Sequence, residues 1–213
     1  YLNTLGNNLV YSLAIEKLTD LDVPERAQGI RIILVELQRI ASHLVWLGTH
    51  ALDLGAMSVF LYCFREREMI MAINELVSGQ RMMTSYIRPG GLWRDVPVEF
   101  EAAVRDFLKV FPKHIDEYDA LLTKNILFKN RTIGIGVLSK EDALRWGVTG
   151  PPLRASGVNQ DLRKTQPYSG YEQYDQDLVD EITDIALDYQ IMSQYTSFVA
   201  VSVVVRLPVQ ASF

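Results

Sequence analysis

Glu36, Arg39, His43, Trp46, His50 and Asp53 follow one another at intervals of three or four residues, the spacing that puts side chains on one face of a helix. Within that stripe His50 and Asp53 stand three apart, so an imidazole and a carboxylate can hydrogen-bond along the helix surface. Such a pair favours the charged imidazole and makes a group that gives and takes protons near neutral pH. A shared metal ion is not expected, because two turns, roughly 10 Å of helical rise, separate His43 from His50. The ordinary alternative is a solvated polar face, since charged stripes are common on amphipathic helices.

Arg65, Glu66, Arg67 and Glu68 interrupt an otherwise apolar stretch. Unpaired charges would be costly there, so they are expected to form a structural ion-pair network, with a redox-site role as the less favoured reading. Cys63 beside them reads as a buried small hydrophobe. Met57, Met69, Met71, Met82 and Met83 could line a cofactor or quinone pocket, but core packing is the commoner use of methionine. Gly90-Gly91 and Gly134-x-Gly136 lack the strand, GxGxxG and helix order of a dinucleotide site, so no nucleotide is assigned to them.

The elements that must position these residues read as helices. Tyr11, Ala14, Ile15 and Leu18, with Leu9 and Leu13 alongside, predict a first helix that ends between Asp20 and Pro24. From Glu25, the positions Ile30, Ile33, Leu34, Leu37, Ala41, Leu44, Gly48 and Ala51 make an apolar stripe along a helix of roughly eight turns. Gly55 marks a break, and residues 59–77 predict a third helix, apolar nearly all round and therefore central. Arg88-Pro89-Gly90-Gly91 must be an ordered loop or turn. Pro97 is expected to open a fourth helix towards Leu122, with Phe107, Val110, Phe111, Ile115, Tyr118 and Leu122 on one side and a kink or split at Pro112. A short extended stretch is expected over 132–137, a capped helix over 140–146 between Ser139 and Gly147, and a long ordered loop over 149–174.

Composition bounds the rest. The chain has 213 residues, is 48% hydrophobic and 22% charged, which is enough for one folded domain with a sizeable core. A net charge of −5 and a pI near 5.3 leave no basic footprint for nucleic acid or an anionic membrane surface. One cysteine with three histidines does not build a zinc or iron–sulfur cluster, and a reducing compartment is expected. Neither a basic-then-apolar leader nor a run of about 18 apolar residues occurs, so any membrane association is expected to come through a partner. The abrupt start at Tyr1-Leu2-Asn3 reads as a fragment.

Near residue 176 the texture changes. Beyond Asp175 stand five acidic residues, Asp177, Asp180, Glu181, Asp184 and Asp188, against the single basic Arg206. An amphipathic helical pattern (Leu178, Ile182, Ile185, Ala186, Tyr189) is followed by a β-branched run over 196–205 that prefers a strand. The expected division is therefore 1–175, a truncated helical domain, and 176–213, a divergent tail that a fusion with unrelated sequence would explain.

Four stretches carry a family resemblance: Asn7-Asn8-Leu9-x-Tyr11-x-Leu13-Ala14-x-Glu16-Lys17-Leu18; Ser42-His43-Leu44-x-x-Leu47-Gly48-Thr49-His50-Ala51-Leu52-Asp53-x-Gly55-Ala56; Tyr86-Ile87-Arg88-Pro89-Gly90-Gly91; and Leu153-Arg154-Ala155-Ser156-Gly157 with Asp161-Leu162-Arg163-Lys164-x-x-Pro167-Tyr168. In order and spacing, residues 1 to about 175 resemble the D-type (49 kDa-type) subunit of proton-pumping NADH:quinone oxidoreductase, respiratory complex I, which is related to nickel–iron hydrogenase large subunits. From about 179 the tail is similar to a short segment of inter-α-trypsin-inhibitor, von Willebrand A-type proteins.

The resemblance implies a mainly α protein, a long-helix bundle with a hydrogenase large-subunit-like fold and long ordered loops. It implies a peripheral membrane location, on the cytoplasmic side of the inner membrane in a prokaryote or the matrix side in a mitochondrion. The implied partners are the subunit holding the terminal iron–sulfur cluster and the membrane subunit forming the quinone channel, with FMN and the iron–sulfur clusters in partner subunits and ubiquinone or menaquinone as substrate. The family's quinone-headgroup tyrosine falls on Tyr1 and its acidic partner on Asp53, with His50 as a further candidate at the headgroup. The family's hairpin histidine that partners the tyrosine lies before this sequence begins and matches none of His43, His50 or His114. The hydrogenase metal motifs are also missing, so no metal centre is expected. The alternatives are a non-catalytic helical scaffold subunit of a related membrane-bound hydrogenase or ferredoxin-linked complex, or a non-functional truncated or chimeric fragment.

Overall fold

The computed structural model describes residues 2–171. Its elements are α1 (Thr4–Thr19), α2 (Glu25–Asp53), α3 (Met57–Ser78), a hairpin of β1 (Ile87–Arg88) and β2 (Gly91–Leu92), α4 (Phe100–Tyr118) running into a π-helical turn (Asp119–Thr123), and four short helices, α5 (Ile126–Thr132), α6 (Lys140–Arg145), α7 (Gly150–Ala155) and α8 (Leu162–Thr165). The chain is mainly α, as the periodicities predict. Tyr1 and the tail from Gln176, with its expected helix and strand, lie outside the described residues.

α2 is the axis of the fold. Every position of its predicted apolar stripe is buried, and so are Ile32, Val35, Glu36 and Gln38 on the other sides. Each fully buried Ile or Leu contributes about 1.5–3 kcal/mol, so this helix dominates the core. α3 lies along α2, α1 lies against α2, and α4 packs on α3. At Gly48 the backbone of α3 comes close, so that an added Cβ would stand 3.3 Å from the Phe60 Cα. The centre is thus α2 rather than α3, which buries one face through Val59, Cys63, Glu66, Ile70 and Val77 while Leu61 stays exposed.

α1 is helical as expected, but it is turned differently. Tyr11 and Leu18 are 65% and 85% exposed, while Leu5, Leu9, Ser12 and Glu16 face the core. Polar anchoring outweighs the apolar stripe here: Thr4 Oγ1 donates to the Met82 carbonyl at 2.7 Å, and Glu16 pairs with the buried Arg31 at 2.6 Å. Arg31 also donates to the carbonyls of Arg88 and Gly91, at 2.7 and 2.9 Å, and the Gly90 N–H donates to Glu16 at 2.8 Å. This clamp holds the Arg88-Pro89-Gly90-Gly91 turn, in which Ile87 pairs with Leu92 and Arg88 with Gly91.

Three further expectations are corrected. α4 begins at Phe100, with Pro97 in the preceding turn, its carbonyl accepting from the Phe100 N–H at 3.0 Å. Pro112 does not split it: the helix runs through the proline, which sits on the exposed side while Phe111, Ile115 and Tyr118 are held in the core. The expected extended stretch over 132–137 is absent: Thr132 ends α5 and residues 133–136 form turns and bends, with Gly134 and Gly136 at φ of 78° and 65°. The preceding α5 is capped by Asn125, whose side-chain oxygen accepts from the N–H groups of Leu127 and Phe128. Finally, the expected loop over 149–174 contains α7 and α8. The capped helix after Ser139 is present, with Ser139 Oγ accepting from the Asp142 N–H at 3.1 Å.

Candidate functional site

Tyr1, the expected headgroup tyrosine, lies outside the described residues. His50 and Asp53 stand on the last turn of α2, both exposed. Sharing a face does not pair them: among the described residues no hydrogen bond or ion pair joins the two side chains, and the His50 ring instead lies 4.9 Å from the Trp46 ring one turn back. Around them Trp46, Leu52, Met57 and Leu61 are exposed, so the end of α2 and the start of α3 present an apolar surface carrying Thr49, His50 and Asp53 as polar points.

The upper half of the same polar stripe is not solvated. Glu36 is completely buried and accepts from Arg39 Nε at 3.1 Å, from Arg163 Nη1 at 3.1 Å and from the Tyr171 hydroxyl. Arg163 is also buried and is held a second time by Asp161, at 2.6 Å. Burial alone would raise the Glu36 pKa, but the charges of Arg39 and Arg163 with the Tyr171 hydrogen bond outweigh it and hold the carboxyl below its ordinary range. Asp161 is lowered in the same way, burial being overcome by Arg163. His43, next along the stripe, is pushed down to about 4 by burial and by the neighbouring Arg39, so it is a neutral ring at pH 7. Helical spacing places Glu36 and Arg39 on one face but does not show that Arg163 and Tyr171 reach them. The only signal of it in the sequence is Arg163 within the Asp161-Leu162-Arg163-Lys164 motif.

Three of the four charges on α3, Arg65, Glu66 and Glu68, join ion pairs as expected, while Arg67 lies over the Phe64 ring and reaches the Met82 sulfur. Glu66 is buried and accepts from Arg65 and Tyr118, and its Oε1 lies 2.8 Å from His114 Nδ1; Arg65 also bonds Glu117 and Arg81 bonds Glu68. Cys63 is fully buried, and burial together with the charge of Glu66 pushes its thiol up to about 12. The methionines form no single lining: Met71 is buried, Met69 and Met82 are half-buried, and Met57 and Met83 are exposed. Among the described residues no group of three or more His, Cys, Asp or Glu side chains gathers as metal ligands, and no helix is long and apolar enough to cross a membrane.

Comparison of the amino-acid sequence with known proteins points to one protein class. The family model described as the 49 kDa subunit of respiratory-chain NADH dehydrogenase matches residues 53–188. The chain belongs to this family. It is 66% identical over 174 residues to the first of the D subunits of NADH-quinone oxidoreductase in Roseiflexus castenholzii, covering 82% of this chain and 42% of that protein. It is 61% identical over 175 residues to the D subunit of the Geotalea uraniireducens enzyme, covering 82% and 45%. To the second D subunit of Chloroflexus aurantiacus it is 62% identical over 174 residues, covering 82% and 42%. The resemblance read from the motifs is thereby borne out, and the chain spans less than half the length of these relatives.

Proposed function

We propose that this chain is the helical part of a quinone-site subunit of an NADH:quinone oxidoreductase. Electrons from NADH would reach quinone through FMN and iron–sulfur clusters held by partner subunits, coupled to proton translocation. The fold is then that of the hydrogenase large-subunit relatives without their metal. The chain would sit on the cytoplasmic face of the membrane, between the terminal-cluster subunit and the membrane subunit that forms the quinone channel. The observation that carries this reading is Asp53, which stands exposed at the end of α2 among apolar side chains in a chain of this family.

In this reading quinone is the electron acceptor, and this chain's residues bind and orient it and handle protons. The phenol of Tyr1 donates a hydrogen bond to a quinone carbonyl, the Asp53 carboxylate orients the family's hairpin imidazole rather than His50, and His50 rests on the Trp46 ring. Trp46, Leu52, Met57 and Leu61 exclude water from the ring and the head of its tail. The test replaces the matching residues within the intact complex of a relative. Asp53→Asn and Tyr1→Phe should leave assembly intact on native gels and slow quinone reduction, because each removes only a charge or a donor. If both variants assemble and reduce quinone at the parental rate, the site assignment is wrong.

A further inference from the structure

A cleft of about 320 Å³ opens where the 149–168 segment crosses α2, lined among others by Arg39, His43, Arg154, Asp161, Arg163 and Tyr168. We infer that this cleft is a binding site for an oxyanion, a carboxylate or phosphate group, seated on Arg154 and flanked by Arg39 and Arg163. Such a site is independent of the quinone reading, since its residues lie along the other half of the α2 stripe from Asp53.

Three guanidinium groups meet two carboxylates here, and the carboxylates are already engaged. Glu36 accepts from Arg39, Arg163 and Tyr171. Asp161 accepts from the backbone N–H and the guanidinium of Arg163. Arg154 is the guanidinium left over: its Nη1 donates to the Gln160 carbonyl at 3.1 Å, but its Nε is buried and meets no acceptor among the described residues. A buried donor on a charged group is costly to leave unsatisfied, and the surroundings aggravate it. Burial lowers the Arg154 pKa, and Arg163 and Arg39 repel the charge that Asp161 attracts. His43, neutral at pH 7, adds no further positive charge.

The ligand class follows from this chemistry. With three guanidinium groups against two carboxylates the cleft is net positive and rejects cations. An oxyanion accepts from Nε and the flanking N–H groups and relieves the repulsion among the guanidinium groups, which present forks matched to carboxylate and phosphate oxygens. The oxyanion has two sources open to it, a free small anion or a carboxylate of a polypeptide, this chain's own acidic residues beyond Tyr171 included.

The test uses the full 213-residue chain labelled with 15N at arginine Nε, the Arg154 signal being assigned by its loss in Arg154→Lys. With inorganic phosphate as probe, a saturable downfield shift of the Arg154 Hε signal identifies a free oxyanion as ligand. Calorimetry should then show phosphate binding weakened about tenfold in Arg154→Lys, which keeps the charge and loses the Nε donor. A signal already downfield in phosphate-free chloride buffer and indifferent to added phosphate identifies a polypeptide carboxylate in the same seat. A signal that is neither downfield nor responsive, or phosphate binding equal in the variant, overturns the site.

Discussion

Glu36 on α2 and Arg163 on α8, 127 residues apart in the chain, meet as a buried ion pair at 3.1 Å. The pair ties the segment after residue 149 to the axis of the bundle, and with Tyr171 it closes the described chain onto α2. Breaking such a pair on one side leaves a buried charge without compensation. Glu36→Gln should therefore lower unfolding stability by about 3–5 kcal/mol, with Arg39 and Arg163 both left facing a neutral amide. The double variant Glu36→Leu with Arg163→Met should lose less than the single one. Urea unfolding of these proteins together with the single variants Glu36→Leu and Arg163→Met checks this, and additive losses across that cycle would show that the two side chains are not coupled.

His43 makes stability depend on pH at mildly acidic values. Its folded pKa of about 4 lies below the ordinary 6.5, so the unfolded chain takes up a proton that the folded chain refuses. The stability due to the neutral ring is complete above 6.5 and is lost as pH falls through the interval to 4, up to about 3 kcal/mol. Glu36 and Asp161, both lowered, extend the loss in the same direction below their ordinary values of 4.5 and 3.8. In His43→Gln the decline between pH 6.5 and 4 should flatten while the steeper acid limb remains, as read from thermal midpoints across that range.

Cys63 should be inert in the folded chain. Its thiol is fully buried and pushed up to about 12, so little thiolate forms at neutral pH and little reagent reaches it. Ellman's reagent should modify it within minutes in guanidinium chloride and only at the rate of unfolding in native buffer. Rapid modification of the native chain would contradict the α3 packing.

Gly90→Ala should destabilise the hairpin. Gly90 has φ of +86°, and an added Cβ would stand 3.0 Å from Leu21 Cδ2. The left-handed conformation alone costs an alanine about 1–2 kcal/mol. Because the Gly90 N–H is bonded to Glu16, the loss should also appear as faster amide exchange at residues 87–92. Unchanged exchange there would mean that the clamp on Arg31 does not depend on the turn.

The α2 stripe was legible in the sequence because its period is set by local geometry and its apolar positions had no other efficient burial. The same holds for the Ser139 cap, the Asp20–Pro24 break and the Pro89-Gly90 turn, each dictated by residues within a few positions of one another. The pairing of the Arg65–Glu68 cluster was legible for a different reason: charges inside an apolar helix must find partners somewhere.

Tertiary structure decided which face of each helix mattered. Tyr11 and Leu18 of α1 point outward because Glu16, on the opposite face, reaches Arg31. Periodicity counts apolar positions, but it cannot count a buried ion pair whose partner is on another helix. Pro112 could stay inside α4 because its missing donor falls on the exposed side. Glu36, His50 and Asp53 shared one predicted face, yet Glu36 is buried under Arg163 and Tyr171 while His50 and Asp53 are exposed. Helical spacing places residues on a face. What covers that face depends on contacts made more than a hundred residues away along the chain, and those exist only in the folded molecule.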